Sequence, residues 1–324
     1  MIERRQFLAG ALGTCAYIAG AKASVAQSRI FFGIATGSTG GVYYPLGGMI
    51  AQVISNNASV NGARVIATAE TGNASVANAR LLQNGEIEAG MMGADIANQA
   101  FNGTAQFEGT PVSNMRAVGA LFPETVQLVV RADSDIRSFV DLAGKSVSSG
   151  PAGSGMYQFF GDMLAAHGMS REDITEDFST FSQSADKLRD GNLDAFFAIG
   201  GVPTVSIQDL SQSHPIRIIP LTGEGVDQVL EQQPYYAKVT LPGGTYNGQE
   251  EDTETMAVRA VLCSHEGVEE DLIYEVVKSI YDNTETLAKV HVQGRNVTLD
   301  TALESISIPV HAGARQYYEE KGVL

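Results

Sequence analysis

Two glycine-rich segments, one in each half of the chain, carry hydroxyl side chains among their glycines. They are residues 36–41 (TGSTGG) and residues 151–155 (PAGSG). Each follows a short apolar run and precedes a stretch with helical spacing, which predicts a strand-to-helix turn. Glycines let a ligand approach the backbone closely, and the unpaired N–H groups at a helix start bind anions. Together the segments predict two walls of one anion-binding cleft, whereas either alone is more typical of an ordinary turn or helix cap.

Neither segment has the spacing of a nucleotide-binding or hydrolase motif. No Gly-x-Gly-x-x-Gly follows the first strand, and Phe139 stands where a Walker motif ending at residues 144–146 would need glycine. Ser154 is not in a Gly-x-Ser-x-Gly elbow. We therefore assign no catalytic residue and expect no cofactor. An exported α/β hydrolase with Ser38 or Ser154 as nucleophile stays as the alternative, although neither serine has a histidine nearby in sequence.

Metal-ligating residues are too sparse for a metal site or a disulfide scaffold. The five histidines are far apart, and the chain has only two cysteines, Cys15 and Cys263. Zinc sites need His or Cys ligands at close, regular spacing, so no metal is expected. Cys263 lies in the apolar run 257–263, which favours a buried structural cysteine.

Composition limits the possible partners of the protein. The chain has 324 residues, of which 44% are apolar and 18% charged, which is enough for two packed domains. It has 21 basic and 37 acidic residues, a net charge of −16, and no cluster of Lys and Arg. A nucleic-acid binder needs a basic patch that neutralises phosphates, so nucleic acid is excluded as the expected partner.

Residues 1–26 have the features of an export signal. Arg4 and Arg5 precede an apolar stretch at residues 7–21, and the small residues of 23–26 predict cleavage after Ala26. The paired arginines resemble the twin-arginine signal, with the general secretory route as the alternative. Three of the basic residues and one acidic residue lie in this segment, which leaves 18 basic and 36 acidic residues and a net charge of −18. We expect a periplasmic protein.

From residue 29 onward, short apolar runs alternate with amphipathic stretches, a pattern typical of α/β folds with mostly parallel sheets. Strands are expected at residues 30–35, 65–69, 88–92, 115–121, 126–131, 145–149, 177–181, 194–199, 216–220 and 256–263. Helices are expected at residues 42–54, 75–83, 158–166, 184–188, 271–290 and 312–321, with Asp95 capping another. The strands at 126–131 and 256–263 are predicted to cross between two domains. Domain 1 is then residues 27–125 and 260–324, and domain 2 is residues 126–259.

Several motifs resemble, in the same order, those of the TAXI family, the solute receptors of tripartite ATP-independent periplasmic (TRAP) transporters. They are residues 34–47 (IATGSTGGVYYPLG), 71–72 (TG) with 75–78 (SVAN), 94–95 (AD), 120–124 (ALFPE), 150–155 (GPAGSG), 190–197 (DGNLDAFF), 200–204 (GGVPT), 242–246 (PGGTY) and 308–314 (IPVHAGA). The resemblance covers essentially the whole chain after residue 26. It departs from the family pattern at Gly93 and Met156, each of which removes a side chain that could bind a ligand.

The resemblance implies a type II periplasmic-binding-protein fold, in which two α/β domains joined by two crossing hinge strands enclose a ligand cleft. It implies a small carboxylate ligand, such as glutamate or a related dicarboxylate, which is delivered to the TRAP membrane permease subunits. Such a receptor is not an enzyme and is expected to be a monomer. A receptor that delivers its liganded form to a sensor instead of a permease is an alternative.

Ten residues form the predicted ligand site. They are Ser38, Thr39, Tyr44 and Glu70 in domain 1, and Gly153, Ser154, Gly155, Gly200, Gly201 and Thr204 in domain 2. The serines, Thr39 and the glycines would bind a carboxylate through hydroxyl and N–H groups. Tyr44 would supply a ring and a phenol donor, with core packing as the alternative. Glu70 would accept a ligand ammonium group, or be an exposed carboxylate at a strand end.

Overall fold

The computed structural model describes residues 28–324, so the predicted signal peptide lies outside the described residues. The strands of this part are β1 (Arg29–Ala35), β2 (Ser59–Val60), β3 (Ala63–Glu70), β4 (Ala89–Gly93), β5 (Met115–Arg131), β6 (Ser146–Ser148), β7 (Thr175–Asp177), β8 (Ala195–Gly200), β9 (Ile216–Ile219), β10 (Ala237–Leu241) and β11 (Thr253–His265). The helices are α1 (Tyr43–Asn57), α2 (Ser75–Asn84), α3 (Ala94–Asn102), α4 (Gly155–Ala166), α5 (Phe181–Arg189), α6 (Val205–Ser213), α7 (Glu224–Gln232), α8 (Glu270–Tyr281), α9 (Thr284–Leu287) and α10 (Ala312–Glu320).

The strands are hydrogen-bonded in the order β2-β3-β1-β4-β11-β5-β8-β6-β7, with β10 beside β11 and β9 beside β5. Strands that precede a helix pair in parallel, as β1 does with β3 and β4, and β6 does with β7 and β8. We call β1–β4 with α1–α3 and α8–α10 the first lobe, and β6–β10 with α4–α7 the second lobe. Because the strands that precede helices are parallel within each lobe, their carboxyl ends lie at the same edge of the sheet. The glycine-rich turns follow these carboxyl ends.

Two long antiparallel strands, β5 and β11, join the lobes. The first part of β5 pairs with β11, and its last part, from Thr125 onward, pairs with β8 and β9 of the second lobe. Strand β11 pairs with β10 at its start and with β4 of the first lobe at its end. Two separate strands were expected at 115–121 and 126–131. That expectation is wrong because pairing with β11 continues through Pro123 and Glu124.

Apolar side chains are buried on both faces of the first lobe. One core lies between the sheet and helices α1, α8 and α10, and includes Leu46, Ile273 and Tyr318. The other lies under α2 and α3 and continues into the second lobe, where it includes Phe160 and Phe196. A sheet that is covered on both faces fixes the positions of its strand ends, and hence of the loops that follow them.

Three expectations about local structure are wrong. The helix expected at 271–290 ends at Tyr281 and restarts at Thr284, because the Asn283 amide donates to the carbonyl of Ser279 and competes with the helix. The strand expected at 177–181 ends at Asp177, and α5 begins at Phe181. Asp95 caps no helix, and Gly93 is the N-cap of α3.

Candidate functional site

A small cavity lies between the lobes, where the loops after β1, β3, β4, β6 and β8 converge. From the first lobe and β5 it is lined by Gly37, Ser38, Gly41, Val42, Tyr43, Gly72, Asn73, Ala74, Ser75, Gly93, Asp95, Ile96 and Glu124. From the second lobe and β11 it is lined by Pro151, Ser154, Gly155, Met156, Phe181, Ile199, Gly200, Tyr236 and Val258. Its volume of about 80 Å³ is room for roughly five to eight water molecules, which suits a small solute.

Five helices, α1 to α5, begin at the wall of this cavity, and three of them lack a side-chain cap. Helix α5 is capped by Thr180, whose hydroxyl accepts from the N–H of Gln183. The N-cap residues of α1, α2 and α3 are Val42, Ala74 and Gly93, none of which bonds to the first-turn N–H groups through a side chain. In α4 the hydroxyl of Ser154 accepts from the N–H of Tyr157. The free N–H groups and the positive ends of the helix dipoles make this wall favourable for an anion.

The first glycine-rich loop is held in place by hydrogen bonds to strand ends. The N–H and hydroxyl of Thr36 both donate to the carbonyl of Glu70, at 2.9 and 2.7 Å. The buried amide of Asn78 donates to the carbonyls of Ala35, Thr36 and Met91. These bonds tie the ends of β1, β3 and β4 together, so the backbone of the loop reaches the cavity in a fixed orientation.

Residues of the two lobes touch around the cavity. The N–H of Ser206 donates to the carbonyl of Gly40 over 3.1 Å. A side chain at Gly155 would be crowded, because its Cβ would lie 2.8 Å from Ile96 Cγ1. A Cβ at Gly201 would lie 2.9 Å from Val42 Cγ2. Both glycines therefore permit the close approach of the lobes.

Two carboxyl groups, Glu124 of β5 and Asp95 of α3, line the cavity and are almost fully buried. Glu124 is 6% exposed and Asp95 is 4% exposed. The hydroxyl of Tyr43 donates to Glu124 Oε2 over 2.7 Å, and Tyr236 of the second lobe donates to Asp95 Oδ2 over 3.2 Å. Gly93 lies between the two acids, since a Cβ there would clash with Asp95 Oδ1 and lie 3.9 Å from Glu124 Oε2.

Burial perturbs the titration of both acids. It raises the pKa of Glu124 to about 8, against the opposing effect of the Tyr43 hydrogen bond. It also raises the pKa of Asp95 to about 6, opposed by the N–H of Ile96 and the hydroxyl of Tyr236. At neutral pH Glu124 is therefore mostly protonated and Asp95 mostly ionised. None of the described lining residues is Lys, Arg or His, so the acids have no cationic partner.

Four of the ten predicted site residues line the cavity, namely Ser38, Ser154, Gly155 and Gly200. Six do not, namely Thr39, Tyr44, Glu70, Gly153, Gly201 and Thr204.

Those six residues have other surroundings. Tyr44 is 37% exposed, and it is Tyr43 that faces the cavity. The Glu70 side chain is exposed, and only its carbonyl supports the first loop. Thr39 is exposed, and Gly153 has a positive φ of 81° in the second turn. The buried Thr204 hydroxyl bonds to Gln127 and to the carbonyl of Gly201.

Sequence reasoning missed Tyr43, Asp95, Glu124 and Tyr236 as candidate ligand contacts. One signal was available, because Glu124 is the only charged residue within the mostly apolar stretch 117–130. A lone acid in a predicted buried strand is rare unless it has a partner or a function. Tyr236 had no such signal, since it lies in a loop more than a hundred residues from Asp95.

Metal and nucleophile chemistry have little support in the described part of the chain. No group of three or more His, Cys, Asp or Glu within residues 28–324 could hold a metal ion. Neither Ser38 nor Ser154 has a histidine beside it in the cavity lining. His291 and His311 bond instead to the carbonyls of Pro203 and Val268. None of the described helices is long and apolar enough to cross a bilayer.

The model of the NMT1-like family matches residues 34–322. The chain belongs to the NMT1-like family. A solved structure of a Bordetella bronchiseptica protein superposes with a TM-score of 0.53 at 14% identity, covering 90% of this chain and 98% of that chain. XAC2383 from Xanthomonas citri, solved with bound ATP, gives a TM-score of 0.51 at 12% identity and covers 90% of this chain and 96% of that one.

A third similar structure is the periplasmic aliphatic sulphonate binding protein SsuA from Escherichia coli, with a TM-score of 0.46 at 15% identity and coverage of 90% and 83%. At these identities the likeness concerns the fold. The expected fold class of this NMT1-like chain, an α/β periplasmic-binding-protein-like architecture, is confirmed.

Proposed function

We propose that the protein is an exported solute receptor of the TAXI type, which captures a small carboxylate in the cavity and delivers it to the membrane permease of a TRAP transporter. One observation carries the proposal: a small cavity between the two lobes is lined by three helix N-termini without side-chain caps. Free N–H groups at converging helix ends supply the donors that a carboxylate needs, without any basic side chain.

Closure of the lobes on a solute is supported by the contacts that join them around the cavity. Besides the bonds of Gly40 and Asp95 to the second lobe, the Gln293 side chain donates to the carbonyl of Val202 over 2.6 Å. A ligand that touches both lobes would stabilise this closed arrangement relative to an open one. The motion would occur by bending of β5 and β11, the two strands that connect the lobes.

The location and partner follow from the same role. A receptor that hands a solute to a membrane permease works outside the cytoplasm, which agrees with the signal features of residues 1–26. The family match and the fold agree with a binding protein. The TRAP permease and the carboxylate class come from the motif resemblance. Delivery of the liganded receptor to a sensor is therefore the alternative that an experiment has to distinguish from transport. Co-purification with the membrane subunits of a TRAP permease would support the transport role.

The test is a thermal-shift screen of the purified protein after unfolding and refolding, which removes carried-over solute. A ligand at a hundred times its Kd stabilises the folded state by about 2.7 kcal/mol, or about 5 °C in Tm for a chain of this size. The panel holds dicarboxylates, amino acids, 2-oxo acids, 2-hydroxy acids and sugars. A rise in Tm with at least one carboxylate is expected, and no rise with any member would contradict the proposal.

Variants of the two cavity serines test where the solute binds. The double substitution Ser38→Ala with Ser154→Ala removes two hydroxyl donors, and we expect an affinity about tenfold or more lower by calorimetry. Thr39→Ala is the matched control, because Thr39 is in the same loop as Ser38 but outside the cavity lining. Equal affinities for the double variant and the wild type would remove both serines from the site.

A further inference from the structure

The two lobes also touch outside the cavity, where the short 3-10 helix Val292–Asn296 of the first lobe faces the loop that precedes α6. Resting on the proposed function, we propose that His291 is a positioning residue for solute capture. Its neutral ring holds this loop of the second lobe in the closed arrangement, and protonation of the ring releases it. The affinity for the solute then depends on pH through a residue that does not line the cavity.

Two side chains of the first lobe donate to consecutive carbonyls of this loop. His291 Nε2 lies 2.9 Å from the carbonyl oxygen of Pro203, and Gln293 Nε2 lies 2.6 Å from that of Val202. A carbonyl can only accept, so the ring hydrogen of His291 is on Nε2. The buried Gln293 side chain accepts through Oε1 from Asn296, which orients its amide toward Val202. We call the bonds to Val202 and Pro203 the latch.

The other ring nitrogen of His291 makes the latch depend on protonation. His291 Nδ1 accepts from the N–H of Gln293, and this bond caps the 3-10 helix. The ring uses one nitrogen as a donor and the other as an acceptor, which only neutral imidazole can do. In the charged ring, Nδ1 carries a hydrogen that faces the N–H of Gln293, so the cap is lost. Because this cap holds the backbone of Gln293, protonation disturbs both bonds of the latch.

The loop that the latch holds is fixed to its own side of the molecule by buried side chains. The amide of Gln127, in the last part of β5, donates to Thr204 Oγ1 over 2.9 Å. The hydroxyl of Tyr246 accepts from the N–H of Thr204 over 2.8 Å and donates to Gln127 Oε1 over 2.5 Å. A buried polar network whose members bond to one another is rigid. The position of the loop therefore follows that of the second lobe, and the latch acts on the whole lobe.

Burial sets the titration of His291. It lowers the pKa of His291 below its usual value of about 6.5, opposed by the bond to the Pro203 carbonyl. The facing loop, residues 201–206, has no titratable side chain. No charged or titratable side chain on its own segment or on the surrounding elements shifts this pKa. Those side chains are Tyr43, Glu124, Asp209, Arg259, Glu285, Lys289 and Arg295.

The sign of the pH effect follows from this lowered pKa. Above about pH 6.5 the His291 ring is neutral in the open and the closed arrangement, so the latch is fully present. Below that pH the open form takes up a proton that the closed form excludes, because burial disfavours the charged ring only when the lobes touch. Closure, and solute affinity with it, therefore weakens as the pH falls.

The experiment measures the distance between the lobes in the refolded protein without added solute. Dyes on Glu70→Cys and Asp186→Cys, two exposed positions on different lobes, report closed and open molecules by single-molecule fluorescence energy transfer. Cys263 is buried and takes no dye. From pH 7.5 to 5.5 we expect the ratio of closed to open molecules to fall about fivefold more in the wild type than in His291→Gln, which keeps a donor and cannot take up a proton. Both proteins contain Asp95 and Glu124, so the difference belongs to His291.

Two further variants separate the latch from a general effect of pH. His214→Gln is the matched control, because the His214 ring bonds to the adjacent Ser213 hydroxyl, and it should keep the wild-type pH response. Gln293→Met removes the donor to Val202 without a titrating group, so the ratio of closed to open molecules should be about fivefold lower at both pH values. It also keeps the test available if His291→Gln fails to fold.

Two results would overturn the inference. One is an equal pH response of the wild type and His291→Gln, and the other is a wild-type ratio of closed to open molecules in Gln293→Met. Because no solute is added, either result leaves the proposed function intact. A thermal-shift screen without any rise in Tm contradicts the proposed function and leaves the distances between the lobes unaffected.

Discussion

The buried carboxyl of Glu124 makes the stability of the ligand-free protein depend on pH. Burial raises its pKa from 4.5 to about 8 in the folded protein. Between these two values the unfolded chain has lost the proton and the folded protein still holds it, so stability falls as the pH rises. The contribution of Glu124 is fully present below pH 4.5 and is lost as the pH passes through about 8. The whole effect is about 5 kcal/mol, or about 1.4 kcal/mol per pH unit.

Glu124→Gln isolates this effect, because the amide fills the same space and cannot ionise. The free energy of unfolding is measured by urea denaturation at pH 6.5, 7, 7.5 and 8. Asp95 has a pKa of about 6, so it contributes little in this window. From pH 6.5 to 8 we expect the wild type to lose about 2 kcal/mol relative to the variant. Glu70→Gln should keep the wild-type slope. Parallel pH profiles for the wild type and Glu124→Gln would refute the argument from burial.

Two further predictions concern the same cavity. Tyr43→Phe removes the donor to Glu124 and should lower stability by about 1–2 kcal/mol in thermal unfolding, whereas Tyr44→Phe on the exposed side should not. Gly201→Ala should weaken solute binding about tenfold, because the new Cβ crowds the first lobe. Gly48→Ala is the control, because a Cβ there has nothing within 4 Å and should leave binding unchanged. Equal affinities of Gly201→Ala and the wild type would exclude a role of this contact in closure.

Local features of the chain were predictable because they depend on near neighbours in sequence. The strand at 30–35 corresponds to β1, and the glycine-rich segments after β1 and β6 are turns that lead into α1 and α4. Ser38 and Ser154 in those turns line the cavity, because a turn after a parallel strand has only one edge of the sheet to occupy. The position of the cleft was therefore available from periodicity and turn residues.

Side-chain direction was not available from the same patterns. Tyr43 and Tyr44 are adjacent at the start of α1, and successive helical residues point about 100° apart. Packing of α1 on the sheet turns Tyr43 toward the cavity and leaves Tyr44 at the surface. Two tyrosines side by side carry no sequence signal that distinguishes them, so only the packed structure decides which one contacts Glu124.

The sequence by itself determined the α/β architecture, the two glycine-rich turns and the acidic character of the chain, and the signal features of residues 1–26 predict its export. The tertiary structure decided the chemistry of the cavity, by bringing Asp95, Glu124 and Tyr236 together from three separate elements. The physical reason is distance along the chain. Strands β5 and β11 run through both lobes. Residues far apart in sequence therefore meet where these two strands pass from one lobe to the other. Burial at that crossing, which no local pattern encodes, shifts the pKa values of the acids.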